Sequence, residues 1–134
     1  MLVLPCVPAS VPVARRRLTA DLLAAGILDP AVGDAALVIS ELLSNAILHA
    51  RPMPGAILQV RWMVNRGSVE VAVSDGGGLT LPHSMRPPAS ATAGRGLGIV
   101  EHLSRTWGIQ SDDLGLTVWA VVPAPQQSGT ALAS

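Results

Sequence analysis

The sequence has no lysine, phenylalanine or tyrosine, and tryptophan occurs only three times. Its nine basic residues are all arginine, nine acidic residues balance them, and charged residues make up only 13% of the chain. That balance excludes the clustered basic excess of a typical nucleic-acid binder. The missing lysine excludes a Walker A loop, whose lysine must reach the phosphates. A single cysteine, Cys6, cannot close an internal disulfide, so the fold must rest on packing, and a reducing, cytoplasmic setting is expected. With one cysteine and three scattered histidines, no convergent metal site is legible. The opening MLVLPCVPASVPVARRR places its arginines after the apolar stretch, the reverse of a secretory signal. No run approaches the roughly 18 apolar residues of a membrane span, and no membrane contact is expected.

What is present is apolar: hydrophobic residues make up 49% of 134, ample for one core. Residues 1–122 are expected to form a single domain, and the tail PAPQQSGTALAS (123–134) to be unstructured. Leu2 to Val7 suits an edge strand. Ser10, as a capping hydroxyl, and Pro12 suit a helix start, with Ala14, Leu18, Leu22 and Ala25 at helical spacing and Gly26 as the stop. Asp29-Pro30 opens a second helix running to about Ala50. Strands are expected over Ala56–Val64 and Ser68–Ser74, joined by a tight turn at Asn65-Arg66-Gly67. Gly76 to Ala93 reads as a long loop, a class that is usually functional or unstructured. A third helix follows over Gly94 to Thr106, then strands over Trp107–Gln110 and Leu116–Val122. This order predicts an α+β, two-layer sandwich: a mixed, mostly antiparallel sheet with helices on one face.

Three segments carry chemistry. On the second helix Glu41, Asn45 and His49 follow at i, i+4, i+8, a polar stripe among Leu42, Leu43, Ala46, Ile47 and Leu48. Such groups either face water or need partners, because each unpaired buried one costs about 1–3 kcal/mol. In VAVSDGGG, an apolar strand runs into Asp75 and Gly76-Gly77-Gly78. An Asp there can accept a hydrogen bond from an exocyclic amine, and the glycines let a flat base approach; an ordinary strand-to-turn junction looks the same. In GRGLGIV, Gly94, Gly96 and Gly98, with Arg95 and Leu97 between them, open a helix whose free N–H groups and dipole suit an anion. It is not a dinucleotide fingerprint, since no βαβ unit surrounds it. Of the remainder, Trp62, Trp107 and Trp119 read as sheet packing, His83 and His102 as solvated. Arg15-Arg16-Arg17 reads as a solvated helix face that could also meet an acidic partner.

Together, ELLSNAILHA, SDGGG and GRGLGIVEHLS resemble the N box and the two glycine boxes of the GHKL ATPase superfamily, across roughly residues 10–122. Within it the short layout is most similar to the anti-sigma regulatory serine/threonine kinases. The resemblance implies a Bergerat-type ATP-binding fold with ATP and Mg²⁺ as cofactors. It implies that Asn45 supplies an oxygen to Mg²⁺ and that Glu41 orients or deprotonates the attacking hydroxyl. Asp75 would read the adenine amino group, Gly77 would admit the base, and Thr117 would help Asp75 through a water. Gly94, Arg95, Gly96, Leu97 and Gly98 would wrap the phosphates under a lid of residues 79–93. With no Phe or Tyr, adenine would be gripped by aliphatic side chains. The implied activity is transfer of the γ-phosphoryl group to an anti-anti-sigma (STAS-type) protein. The implied partners are that protein and a sigma factor, with no direct nucleic-acid contact, and a homodimer is also implied. Leu79 departs from the family pattern, which has a glycine there. That departure keeps a non-catalytic, ATP-dependent binding module open as an alternative. A detached histidine-kinase catalytic domain ranks last, because no phospho-acceptor histidine segment precedes the domain.

Overall fold

The computed structural model describes residues 1–49, 57–74, 98–112 and 115–125; the side chains of residues 49, 111, 112 and 115 are not among those described. Strand β1 (Leu2–Pro5) leads into helices α1 (Ser10–Ala24) and α2 (Asp29–His49), then strands β2 (Ile57–Asn65) and β3 (Ser68–Ser74). A short helix α3 (Gly98–Leu103) and strands β4 (Thr106–Asp112) and β5 (Gly115–Pro123) follow. The sheet has the order β1-β2-β3-β5-β4. The expectation of a mixed sheet resolves to antiparallel pairing at every described junction.

Strand alternation decides which side chains meet the helices. Leu58 and Val60 on β2, Val69, Val71 and Val73 on β3, and Ala120 and Val122 on β5 are buried in one core with Leu18, Leu22, Val38, Ile39, Leu42, Leu43 and Val100 of the helices. Full burial of each larger side chain contributes about 1.5–3 kcal/mol. Small residues of α2 (Ala31, Ala35, Ala36) let it lie close. α2 packs on β3 and β5, with α1 and α3 beside it. A window of α2 within Asp29–Leu48 has a mean hydropathy of 1.5, long and apolar enough to cross a membrane, although no such run stood out in the sequence. Half of that window is buried inside the protein, as in the core helix of a folded domain.

The ends of α1 depart from and fulfil expectation in turn. Ser10 is not the cap: it is the first helical residue, buried, and its hydroxyl donates to the Pro5 carbonyl at 2.6 Å, tying the helix to β1. Gly26 does stop the helix. At φ +83° it lets its own N–H reach the Leu23 carbonyl (3.1 Å) and the Ile27 N–H reach the Leu22 carbonyl (3.0 Å). That pair of bonds is a Schellman motif, and its Ile27 and Leu22 are both buried. The β2–β3 turn is tight as expected, with Asn65 paired to Ser68 and only Gly67 at positive φ (+78°). The folded part extends past 122. Ala124 is fully buried and its N–H donates to the Gly67 carbonyl at 2.9 Å, while the Leu28 N–H reaches the Pro125 carbonyl at 3.3 Å. The third helix ends at Leu103, short of the expected Thr106, because Thr106 already pairs with Val121 in β4; its expected start over 94–97 lies outside the described residues.

The tryptophans divide between the two faces. Trp62 and Trp107 pack against the core, and the Trp62 indole N–H donates to Asp21 of α1 at 3.0 Å. Trp119 lies on the helix-free face over its cross-strand neighbour Gly108, where a Cβ would come within 2.7 Å of the indole.

Candidate functional site

α2 brings two of the expected residues to one stripe. Glu41 and Asn45 are both half-buried, one turn apart. His49 is the last residue of the helix, and its side chain is not among those described. Within Asn45 the amide itself is closed off: Oδ1 and Nδ2 are both buried and have no hydrogen-bond partner among the described residues. An asparagine amide carries two donors and an acceptor oxygen with two lone pairs, and leaving such groups unmet costs about 1–3 kcal/mol each. The same helix shows the usual remedy five residues earlier, where the buried Ser40 hydroxyl donates to the Ala36 carbonyl at 2.7 Å. Asn45 has no equivalent among the described residues. Its neutral oxygen is a hard donor of the kind Mg²⁺ accepts beside waters and phosphate oxygens, so the residue fits the cation that the family resemblance implies for it. Ser104, just after α3, has a buried hydroxyl that likewise lacks a partner among the described residues.

The other two motif-bearing segments are described only at their ends. β3 lies beneath α2 and ends at Ser74, immediately before Asp75. α3 packs on α2 and begins at Gly98, which is exposed, while Val100 is buried in the core. The strand before one glycine segment and the helix after the other thus both pack on α2, which carries the third segment. Asp75, Gly77, Gly94, Arg95, Gly96 and Leu97 lie outside the described residues, as does the expected lid, 79–93.

Thr117 is among the described residues, whereas Asp75, which it is expected to assist, is not. Thr117 pairs with Ser74, and the two hydroxyls are 2.7 Å apart. Val118, Ala120 and Val122 take the helix-facing positions of β5, so Thr117 points to the helix-free face, and Leu116 has the same parity as Val118. The bond partner that sequence reading missed is Ser74. The signal was available in the alternation of Val69, Val71 and Val73 on one strand and Val118, Ala120 and Val122 on the other. Period-two alternation puts positions 74 and 117 on the same outer face. The remaining expectations are simple to place: His102 is exposed on α3, and Arg15, Arg16 and Arg17 are exposed on α1.

Comparison with known proteins agrees with this fold. The solved structure of the RsbU and RsbW domains of Rv1364c from Mycobacterium tuberculosis is similar over 92% of this chain, with a TM-score of 0.65 at 20% identity. At that identity the likeness shows the fold, and the match spans only 32% of that longer chain. The histidine kinase domain of a blue-light activated histidine kinase from Erythrobacter litoralis matches 69% of this chain and 44% of its own, at 24% identity and a TM-score of 0.49. A search among curated proteins finds no match. The family model described as histidine kinase-like ATPase domain matches residues 4–122, all of the secondary structure but the ends of β1 and β5. The chain belongs to the histidine kinase-like ATPase domain family, in its GHKL, ATP-binding fold.

Proposed function

We propose that this domain is a protein kinase of the anti-sigma type, which moves the γ-phosphoryl group of ATP to a serine or threonine of a STAS-type partner and also binds a sigma factor. The observation that carries the reading is the unpartnered, buried amide of Asn45 one turn after Glu41. Family membership supports ATP as the nucleotide, and the likeness to a chain containing an RsbW domain is compatible with the anti-sigma branch. Asn45 would hold Mg²⁺, which when bound neutralises phosphate charge and fixes the phosphate geometry. Asp75 would read the adenine amino group, with Gly77 leaving room for the base. Gly94, Gly96 and Gly98, with Arg95 and Leu97, would enclose the phosphates.

Glu41 accepts the proton of the partner's hydroxyl as its oxygen attacks the γ-phosphorus. The new O–P bond forms as the bond to the β–γ bridging oxygen breaks, and ADP leaves with that electron pair. Leu79, where the family pattern has glycine, favours a second reading in which ATP only stabilises a partner-binding conformation. The experiment that separates them is incubation with γ-labelled ATP, Mg²⁺ and a STAS-type protein. Label on a partner serine or threonine that disappears in Glu41→Ala, with ATP binding retained, supports the kinase. ATP-dependent partner binding without label supports the module. Label that persists in Glu41→Ala removes the role given to Glu41.

A further inference from the structure

We infer that residues 123–125 form a strap that holds the corner between α1 and α2 against the end of the sheet remote from Ser74. β5 ends at Pro123, which pairs with Ser68, the first residue of β3. Two bonds tie the chain beyond that rung. The Ala124 N–H donates to the Gly67 carbonyl at 2.9 Å, and the Pro125 carbonyl accepts the Leu28 N–H at 3.3 Å. Between them the Ala124 side chain is fully buried, in the same core as Ile27. Both anchors stand at or beside a glycine in the left-handed region: Gly67 itself (φ +78°) in the β2–β3 turn, and Gly26 (φ +83°) at the end of α1. No other described residue has a positive φ.

The composition of the segment suits a strap. Pro123 and Pro125 have no N–H and a φ fixed at about −65°, so the segment is stiff and Ala124 carries its one donor. The Gly67 carbonyl takes that donor. Leu28 lies immediately before α2, and the Val32 N–H returns to the Leu28 carbonyl at 3.0 Å, so the residue held by the strap is built into the first turn of the helix. The two ends of α2 therefore answer to different groups. Its start is fixed by the strap and by the turn at Gly26. Asn45 lies about 24 Å further along the axis from Asp29, at 1.5 Å per residue. Drawing the chain after Pro125 away from the domain breaks both strap bonds and uncovers Ala124, a local opening that leaves the sheet in place. The corner loosens, and the half of α2 that carries Glu41 and Asn45 does not. The inference stands apart from the roles proposed for those two residues.

The test is amide hydrogen exchange, under native conditions, of the whole chain and of its Ala124→Asp and Ala124→Ser variants, with calorimetric titration of each by ATP and Mg²⁺. An aspartate carboxylate does not stay in that core without a partner, so Ala124→Asp releases the strap. Leu28 and Ala124 should then exchange at close to the rate of an unprotected amide. Ile27, whose N–H is held by the Leu22 carbonyl, should exchange about 10- to 100-fold faster as the corner loosens. Val71 and Ala120 in the sheet should remain strongly protected, and ATP affinity should not change. Ala124→Ser should move the same three corner amides by a smaller factor, and it carries the comparison if Ala124→Asp does not fold. Retained protection at Leu28, or an unchanged rate at Ile27, would overturn the inference, because the segment would then hold nothing but itself. Loss of protection at Val71 and Ala120 as complete as at Leu28 would also overturn it, reducing Ala124 to ordinary core packing. A fall in ATP affinity in a variant whose sheet amides stay protected would overturn the separation of the corner from the rest of α2. If the unaltered chain binds no ATP, the functional reading fails, and the exchange pattern alone decides this inference.

Discussion

Ser40 and Asn45 sit on the same helix, five positions apart, and both bury polar atoms in an apolar neighbourhood. Ser40 closes on its own backbone through the Ala36 carbonyl, so the fold alone accounts for it. Asn45 closes on nothing described. The contrast extends along α2: its earlier turns bury Ala35, Val38, Ile39, Leu42 and Leu43. Beside the last of these the helix carries the half-buried Glu41 and Asn45, and it then reaches the exposed Leu48. The first region is explained by stability. The second spends stability on an amide that no described residue satisfies, as functional sites commonly do.

Four substitutions probe this division. The largest effect is expected for Glu41→Gln, which should slow phosphoryl transfer about 10²- to 10⁴-fold with ATP affinity and thermal midpoint unchanged. A rate loss matched by a loss of stability would move Glu41 into the structural class. Leu42→Ala, in the fully packed region, should cost about 2–5 kcal/mol in denaturant unfolding. Asn45→Ala should behave oppositely, leaving stability unchanged or raising it by up to about 1 kcal/mol, because an unmet buried amide is removed. Ser40→Ala is expected to cost at most about 1 kcal/mol and to leave ATP titrations unaltered. If Ser40→Ala weakened ATP binding as much as Asn45→Ala, the division of α2 would collapse.

Much of this was legible in the sequence because periodicity and punctuation agree locally. Ala14, Leu18 and Leu22 mark the buried face of α1, Gly26 marks its end, and the Val71/Val73 alternation marks a core strand. The stripe on α2 was visible as spacing alone, but the unmet amide of Asn45 was not: hydrogen-bond satisfaction depends on which neighbours the fold supplies. Ser10 was misassigned for a similar reason, since a hydroxyl near a helix start can cap the helix or reach back, and here the Pro5 carbonyl of β1 lies within reach. For Thr117, the hydrogen bond to Ser74 follows from cross-strand register and face parity, which the motif alone does not carry. Gly108 was read as nothing more than part of a strand. Only the fold brings Trp119 over it.

The most direct test of the central claim is titration of the unaltered chain and of Asn45→Ala with ATP, each with and without Mg²⁺. The account predicts that Mg²⁺ strengthens ATP binding to the unaltered chain and that Asn45→Ala, still folded, loses most of this Mg²⁺ dependence. Equal ATP affinity and equal Mg²⁺ dependence in both proteins would contradict it, leaving the buried amide of Asn45 without a ligand role.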